Sequence, residues 1–134
     1  MREDPVVIFV CEHGAAKSLI AAAHFNQLAN ERGLNLRAVA RGTNPDLVVS
    51  EPTIKGLSKD GLVPTASAPQ KLSLEDVKSA QRVVSFCELP IEYKEKKIIE
   101  QWDGIPPVSE NYDKARDAII ERLNHLLDSI RSSS

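Results

Sequence analysis

Apolar positions fall into short blocks of two kinds, unbroken runs and stripes at helical spacing. Val6-Val7-Ile8-Phe9-Val10 is a continuous β-branched and aromatic run, the pattern of a strand covered on both faces. Cys11 to Ser18 follows as a loop without proline. Leu19 to Arg32 then reads as an alanine-rich helix with Gly33 as its C′ residue. Leu36–Ala40 predicts a second strand, followed by the loop Arg41-Gly42-Thr43-Asn44-Pro45. Ser50-Glu51-Pro52 predicts a helix start, with Ser50 as N-cap and the helix running to Gly61. Pro64 to Gln70 is a loop of small residues, and Ser73-Leu74-Glu75-Asp76 has the form of a capping box opening a short helix to about Ala80. Val83–Cys87 predicts a third strand, and Lys96–Trp102 a fourth, polar enough for a sheet edge. Beyond the Gly/Pro loop from Asp103 to Val108, residues Ala115, Ile119, Leu123, Leu126, Leu127 and Ile130 recur at helical spacing and predict a closing amphipathic helix, frayed from Ser132 on.

The order β-α-β-α-(α)-β-β-α predicts an α/β fold: a four-stranded parallel sheet with helices on both faces, a three-layer sandwich. No repeat or boundary interrupts it, so residues 1–134 are read as a single domain. Ligands of such sheets bind at the carboxyl ends of the strands. Cys11, Arg41-Gly42-Thr43, Cys87 and Asp103 all fall at or just after predicted strand ends, on that one edge.

Composition narrows the function. With 42% hydrophobic and 27% charged residues over 134 positions, the chain can bury a core without staples. A net charge of −2 and 4% aromatics disfavour nucleic-acid binding. The apolar runs are too short to span a membrane, and Met1-Arg2-Glu3-Asp4-Pro5 does not make a secretory signal. Cys11 and Cys87, the two cysteines present, form no disulfide framework and predict free thiols in a reducing cytoplasm. His13, His24 and His125 are scattered without metal-ligand spacing, so neither metal nor other cofactor is expected. His24 and His125 read as structural or exposed helix residues.

The loop of residues 11–18 carries the chemistry. Consecutive amides between a strand and a helix can curl into an anion-binding nest backed by the helix dipole. Glu12, His13, Gly14, Ala15, Ala16 and Lys17 form the predicted anion-binding stretch. Gly14 allows a positive φ, Ala15 and Ala16 keep bulk out, and Lys17 adds charge. A thiol at Cys11 sits where a helix N-terminus favours the nucleophilic thiolate. Ser18 either hydrogen-bonds that sulfur or caps the helix. His13 either touches Cys11 or substrate, or points to solvent. Glu12, an acid beside the nucleophile, is expected to turn outward.

A cysteine, five residues, a basic residue and a serine between a first strand and a first helix resembles the phosphate loop of low-molecular-weight protein tyrosine phosphatases and the related arsenate reductases. Ala40-Arg41-Gly42-Thr43 is similar to the family's Ser-Ala-Gly-Thr, and Pro52…Leu57…Gly61-Leu62 to its second helix and turn. Pro69-Gln70-Lys71-Leu72…Glu75-Asp76-Val77 is similar to its Arg-Gln-Leu…Asp-Leu stretch. Val83–Cys87 and Trp102 before an Ile-Pro loop resemble the reductase branch. The resemblance implies a cysteine-thiolate enzyme acting on phosphate, arsenate or a phosphorylated substrate. Cys11 is then the nucleophile, Lys17 and Ser18 its catalytic neighbours, and Cys87 a candidate resolving thiol with thioredoxin or a small thiol as reductant.

Three departures stand out. Lys17 occupies the position of the family's arginine, exchanging a bidentate fork for a point charge. The aspartate of the family's acid loop is replaced by Pro107 within Ile105-Pro106-Pro107-Val108, leaving Asp103, four residues earlier, as a candidate acid or a simple turn residue. No cysteine follows Cys87. Two functions therefore compete: an enzyme of phosphatase or reductase type, and a non-catalytic oxyanion-binding or regulatory module. An unrelated flavodoxin-like protein is the third and blandest reading.

Overall fold

The computed structural model describes residues 6–132; Met1–Pro5, read above for a missing signal, and positions 133–134 of the end expected to fray from Ser132 lie outside the described residues, while Ser132 itself is still helical. Four strands form one parallel sheet in the order β2-β1-β3-β4: β1 (Val6–Cys11), β2 (Arg37–Gly42), β3 (Arg82–Ser85) and β4 (Ile99–Gln101). Helices α1 (Lys17–Glu31), α2 (Glu51–Lys59), α3 (Leu74–Ser79), α4 (Ile91–Lys94) and α5 (Tyr112–Ser132) complete the fold.

The apolar run of β1 is buried on both faces because its side chains alternate between two cores. Val7 and Phe9 join a large core with α1, α5 and Trp102, where Phe9 meets the Phe25 ring edge-on at 5.8 Å. Ile8 and Val10 join a smaller core with Leu72, Val77 and Val83, toward α3. The sheet is thus the middle of three layers, as expected. The α5 stripe from Ala115 to Ile130 is wholly buried in the larger core. α1 packs its small residues Ala21 and Ala22 fully out of solvent in the same core.

The chain's stop signals act where the sequence puts them. α1 and α2 both end in the Schellman pattern: Leu34 N–H reaches Ala29 O and Leu62 N–H reaches Leu57 O, with Gly33 and Gly61 at positive φ. α2 therefore stops at Lys59, with Gly61 just past its end. Ser50 caps α2 and Ser73 closes the expected capping box with Asp76 on α3.

The bounds of several elements differ from expectation. β2 runs Arg37–Gly42, two residues past the expected end at Ala40, because Arg41 and Gly42 stay in register with Val10 and Cys11 of β1. α1 begins at Lys17, two residues early, since two loop residues already have helical backbone. β3 ends at Ser85, because Ser85 Oγ takes the Cys87 amide (3.1 Å) and donates to the Cys87 carbonyl (2.6 Å), turning the chain out of the ladder. β4 keeps only three residues of the expected Lys96–Trp102 strand, all pairing with β3. The single-turn helix α4 lies between the expected third and fourth strands, where the pattern predicts no element; at four residues it is too short for any periodicity to register.

Strand order places the site. From β1 the chain crosses to β2 on one side and later to β3 on the other. The switch in direction therefore leaves a crevice at the carboxyl end of β1, where Cys11 stands.

Candidate active site

Residues 12–16 are held by their carbonyls. Glu12 O accepts from Asn44 N–H (2.7 Å), His13 O from Asp46 N–H (2.9 Å) and Ala15 O from Ser50 N–H (3.0 Å). The segment after β2 is thus stitched to the loop after β1. The amides of residues 12–16 have no hydrogen-bond acceptor among the described residues. Gly14 adopts φ +62 and lies against the backbone of Gly42. α1 starts without a side-chain cap and with no acid in its first turn, so the dipole's positive end is not neutralised from within the helix. Together these make an anion nest with donors to spare.

A cleft of about 410 Å³ lies over this loop. Cys11, buried at its base, lies 3.1 Å from the fully buried Ser18 hydroxyl. Of the two roles open to Ser18, the structure thus has it on the sulfur, while Ala16 occupies the N-cap position. Glu12, His13, Ala15, Ala16 and Lys17 line the cleft, so the side chain of Glu12 reaches the mouth as well as solvent. Asp46, Ser50 and Pro52 form a second wall, and Phe86 with Val108 and Ser109 a third. Phe86 is braced edge-on against Trp102 at 5.7 Å.

Cys87 lines the same cleft as Cys11. Burial pushes its thiol up, and negative charge at Cys11 and Glu12 adds to this, while hydrogen bonds from Ser85 and Thr43 pull the other way. It is therefore held as a protonated thiol at neutral pH.

Asp103 is not part of this constellation. It follows β4, but its carboxylate accepts from the Gln101 side chain (3.1 Å), its carbonyl accepts from Arg122 (2.6 Å), and it does not line the cleft. The loop places Val108 and Ser109 at the cleft instead. Arg41 is not among the residues lining the cleft: its guanidinium bonds Asp76 of the capping box (3.2 Å), tying β2 to α3. Sequence reasoning missed Asp46, whose carboxylate lies 3.2 Å from His13 Nδ1. No periodicity or spacing marks an aspartate in such a loop; its one signal is that it follows Asn44-Pro45, a turn after a strand end. Among the described residues no cluster of three or more His, Cys, Asp or Glu can hold a metal ion, and no helix is long and apolar enough to cross a membrane.

Residues 6–133 match the family model of the low molecular weight phosphotyrosine protein phosphatases. The chain belongs to that family. Solved structures of similar shape include YfkJ from Bacillus subtilis, at TM-score 0.85 and 18% identity over 99% of this chain and 98% of that one. A low molecular weight protein tyrosine phosphatase from T. tengcongensis superposes at TM-score 0.79 with 20% identity, covering 93% of this chain and 99% of its own. An arsenate reductase from Archaeoglobus fulgidus gives TM-score 0.73 and 25% identity, covering 91% and 98%. No curated protein matches the chain in sequence. As a member of the low molecular weight phosphatase family, the protein has a cysteine-thiolate chemistry of phosphatase or arsenate reductase type, and the buried Cys11 fits the nucleophile position of the family's loop.

Proposed function

We propose that the protein is a thiol phosphatase in which Cys11 attacks the phosphorus of a phosphate monoester. The observation that carries this is the pairing of a buried sulfur, 3.1 Å from Ser18, with a run of amides lacking protein acceptors at the base of one cleft. The Ser18 hydroxyl donates to the thiolate. The loop amides and Lys17 hold the equatorial oxygens as charge spreads over them. A phosphocysteine forms and is released to water. Lysine supplies charge without the bidentate fork, so turnover is slow for the family.

A second reading is favoured by the presence of Cys87 in the same cleft. With arsenate, Cys87 or a small thiol attacks the Cys11–arsenate adduct, arsenite leaves with two electrons fewer on the sulfurs, and the resulting disulfide is reduced by thioredoxin or a small thiol. The second reading needs thiol reductants of the kind that act in the cytoplasm, and we infer that location for the protein.

Rapid-mixing kinetics with an activated aryl phosphate tests the first reading: a burst equal to the enzyme concentration in the wild type and none in Cys11→Ser. Arsenite production that requires both Cys11 and Cys87 would favour the second. Phosphate binding by calorimetry with no turnover of either substrate would leave a non-catalytic oxyanion-binding module.

A further inference from the structure

Displacement at phosphorus leaves an oxyanion that needs a proton, and an ester oxygen of an alkyl or phenyl group leaves poorly without one. In this chain the family-type acid position is Pro107, and Asp103 is occupied outside the cleft. The ionisable side chains that do line the cleft are Cys11, Glu12, His13, Lys17, Asp46 and Cys87. Imidazole alone among these carries two ring nitrogens, so that one can hold a partner while the other gives and retakes a proton.

We propose that His13 is the general acid and base of this enzyme, held in place by Asp46. The proposal rests on the reading of Cys11 as nucleophile. His13 Nδ1 lies 3.2 Å from Asp46 Oδ1, while Nε2 lies 4.0 Å from Glu12 Oε1 at the mouth of the cleft. In the imidazolium both nitrogens carry protons, so the ion-pair contact of Nδ1 with Asp46 leaves the Nε2 proton for the reaction. The pairing is built by the backbone: Asp46 N–H to His13 O and Asn44 N–H to Glu12 O set the two loops side by side. Both side chains are about half exposed, 54% and 53%, so the pair contributes little to stability, and water reaches the ring to exchange its proton. Orientation is what it supplies. The titratable groups around the ring are Asp46 from the loop after β2 and Glu12 beside it, with Lys17 from the start of α1 and the thiols of Cys11 and Cys87 lining the same cleft.

In the first step Cys11 Sγ forms a bond to phosphorus as the ester P–O bond breaks. The electron pair of that bond goes to the leaving oxygen, which takes the proton from His13 Nε2. In the second step water attacks the phosphocysteine and gives its proton to the now neutral Nε2. The S–P bond breaks with its electron pair returning to sulfur, so thiolate, inorganic phosphate and imidazolium are regenerated. His13 is catalytic in this scheme; Asp46 is a positioning residue.

The test compares wild type, His13→Gln, Asp46→Asn and Cys11→Ser on p-nitrophenyl phosphate and on an alkyl phosphate, with thermal melts to establish folding. In His13→Gln, kcat on the alkyl ester should fall about 10²-fold more than on the aryl ester. Added imidazole should restore part of the alkyl rate. Asp46→Asn should lower kcat on the alkyl ester with little change in KM. An equal loss on both esters, or no loss on the alkyl ester, overturns the role of His13 while leaving Cys11 as nucleophile. A wild type no faster than Cys11→Ser on p-nitrophenyl phosphate overturns the nucleophile and this role with it.

Discussion

Gly14 and Gly42 meet backbone to backbone, and this contact sets the shape of the anion loop. A Cβ on Gly42 would lie 2.8 Å from Gly14 N and 3.0 Å from His13 C, both main-chain atoms with nowhere to go. Gly14 in addition holds φ +62, which L side chains adopt at a cost. Gly42→Ala is therefore expected to lower stability by about 1–3 kcal/mol, as overpacking does, and to weaken phosphate binding by tenfold or more; urea unfolding and calorimetry measure the two. Loss of stability with phosphate affinity intact would mean that the loop keeps its form without the contact. Lys17 is the second residue whose identity matters locally. Placed at the cleft, it presents charge but no fork, and a single well-placed oxyanion donor is commonly worth about 10²–10³ in kcat. Lys17→Arg is expected to raise kcat on aryl phosphate by about tenfold or more in steady-state assays. An unchanged or lower rate would show that the loop is shaped around lysine. At this scale the sequence was partly legible. Cys11, Gly14 and Lys17 announce themselves by their order between strand and helix, whereas the choice of Ser18 for sulfur over helix cap depends on where the loop puts Ala16, and Asp46 meets His13 only through folding.

Elements stand or fall on a few close contacts, of which Gly56 in α2 is the tightest. A Cβ there would lie 2.2 Å from the Tyr112 ring at the start of α5. The glycine lowers helix propensity by about 1 kcal/mol relative to alanine, and α2 retains it because the ring occupies that space. Gly56→Ala should thus destabilise the protein despite the propensity gain, by about 1–3 kcal/mol, read from the urea midpoint. A more stable variant would mean that Tyr112 swings out freely. The same contact explains what the pattern of residues does and does not disclose. β1, α1, α2, α3 and α5 are readable because each carries a run, a stripe or a cap in its own residues. The end of β3 is not, because Ser85 folds its hydroxyl back onto Cys87, and β4 is trimmed to the residues that β3 can pair. The third wall of the cleft was equally hidden: Val108 and Ser109 reach it only because Pro107 O accepts from Glu110 and Asn111, turning the loop into α5.

Across the molecule, three helices converge on the Asp60 carboxylate. Tyr112 O–H donates to one oxygen (2.8 Å), Arg116 of α5 donates to the other (2.8 Å), and His24 Nε2 of α1 lies 3.2 Å from the first without a hydrogen bond of good geometry. Burial and the adjacent carboxylate push the Tyr112 phenol up, so it stays protonated and donates to Asp60 at neutral pH. His24 is held below its ordinary value of 6.5, chiefly by burial, with Arg116 adding to this and Asp60 opposing it. The sign of the consequence follows from linkage. As pH falls through 6.5 the unfolded chain takes up a proton at His24 while the folded chain does not, so stability is full above that value. It declines as pH drops toward the lower folded value, and levels off below it. Urea unfolding at pH 7.5, 6.5 and 5.5 should show a falling free energy in the wild type and a flatter dependence in His24→Gln. Equal slopes in the two proteins would assign the acid sensitivity to other groups. The network also stands behind the site, since α2 brings Ser50 and Pro52 to one wall of the cleft and the segment entering α5 brings Val108 and Ser109 to another.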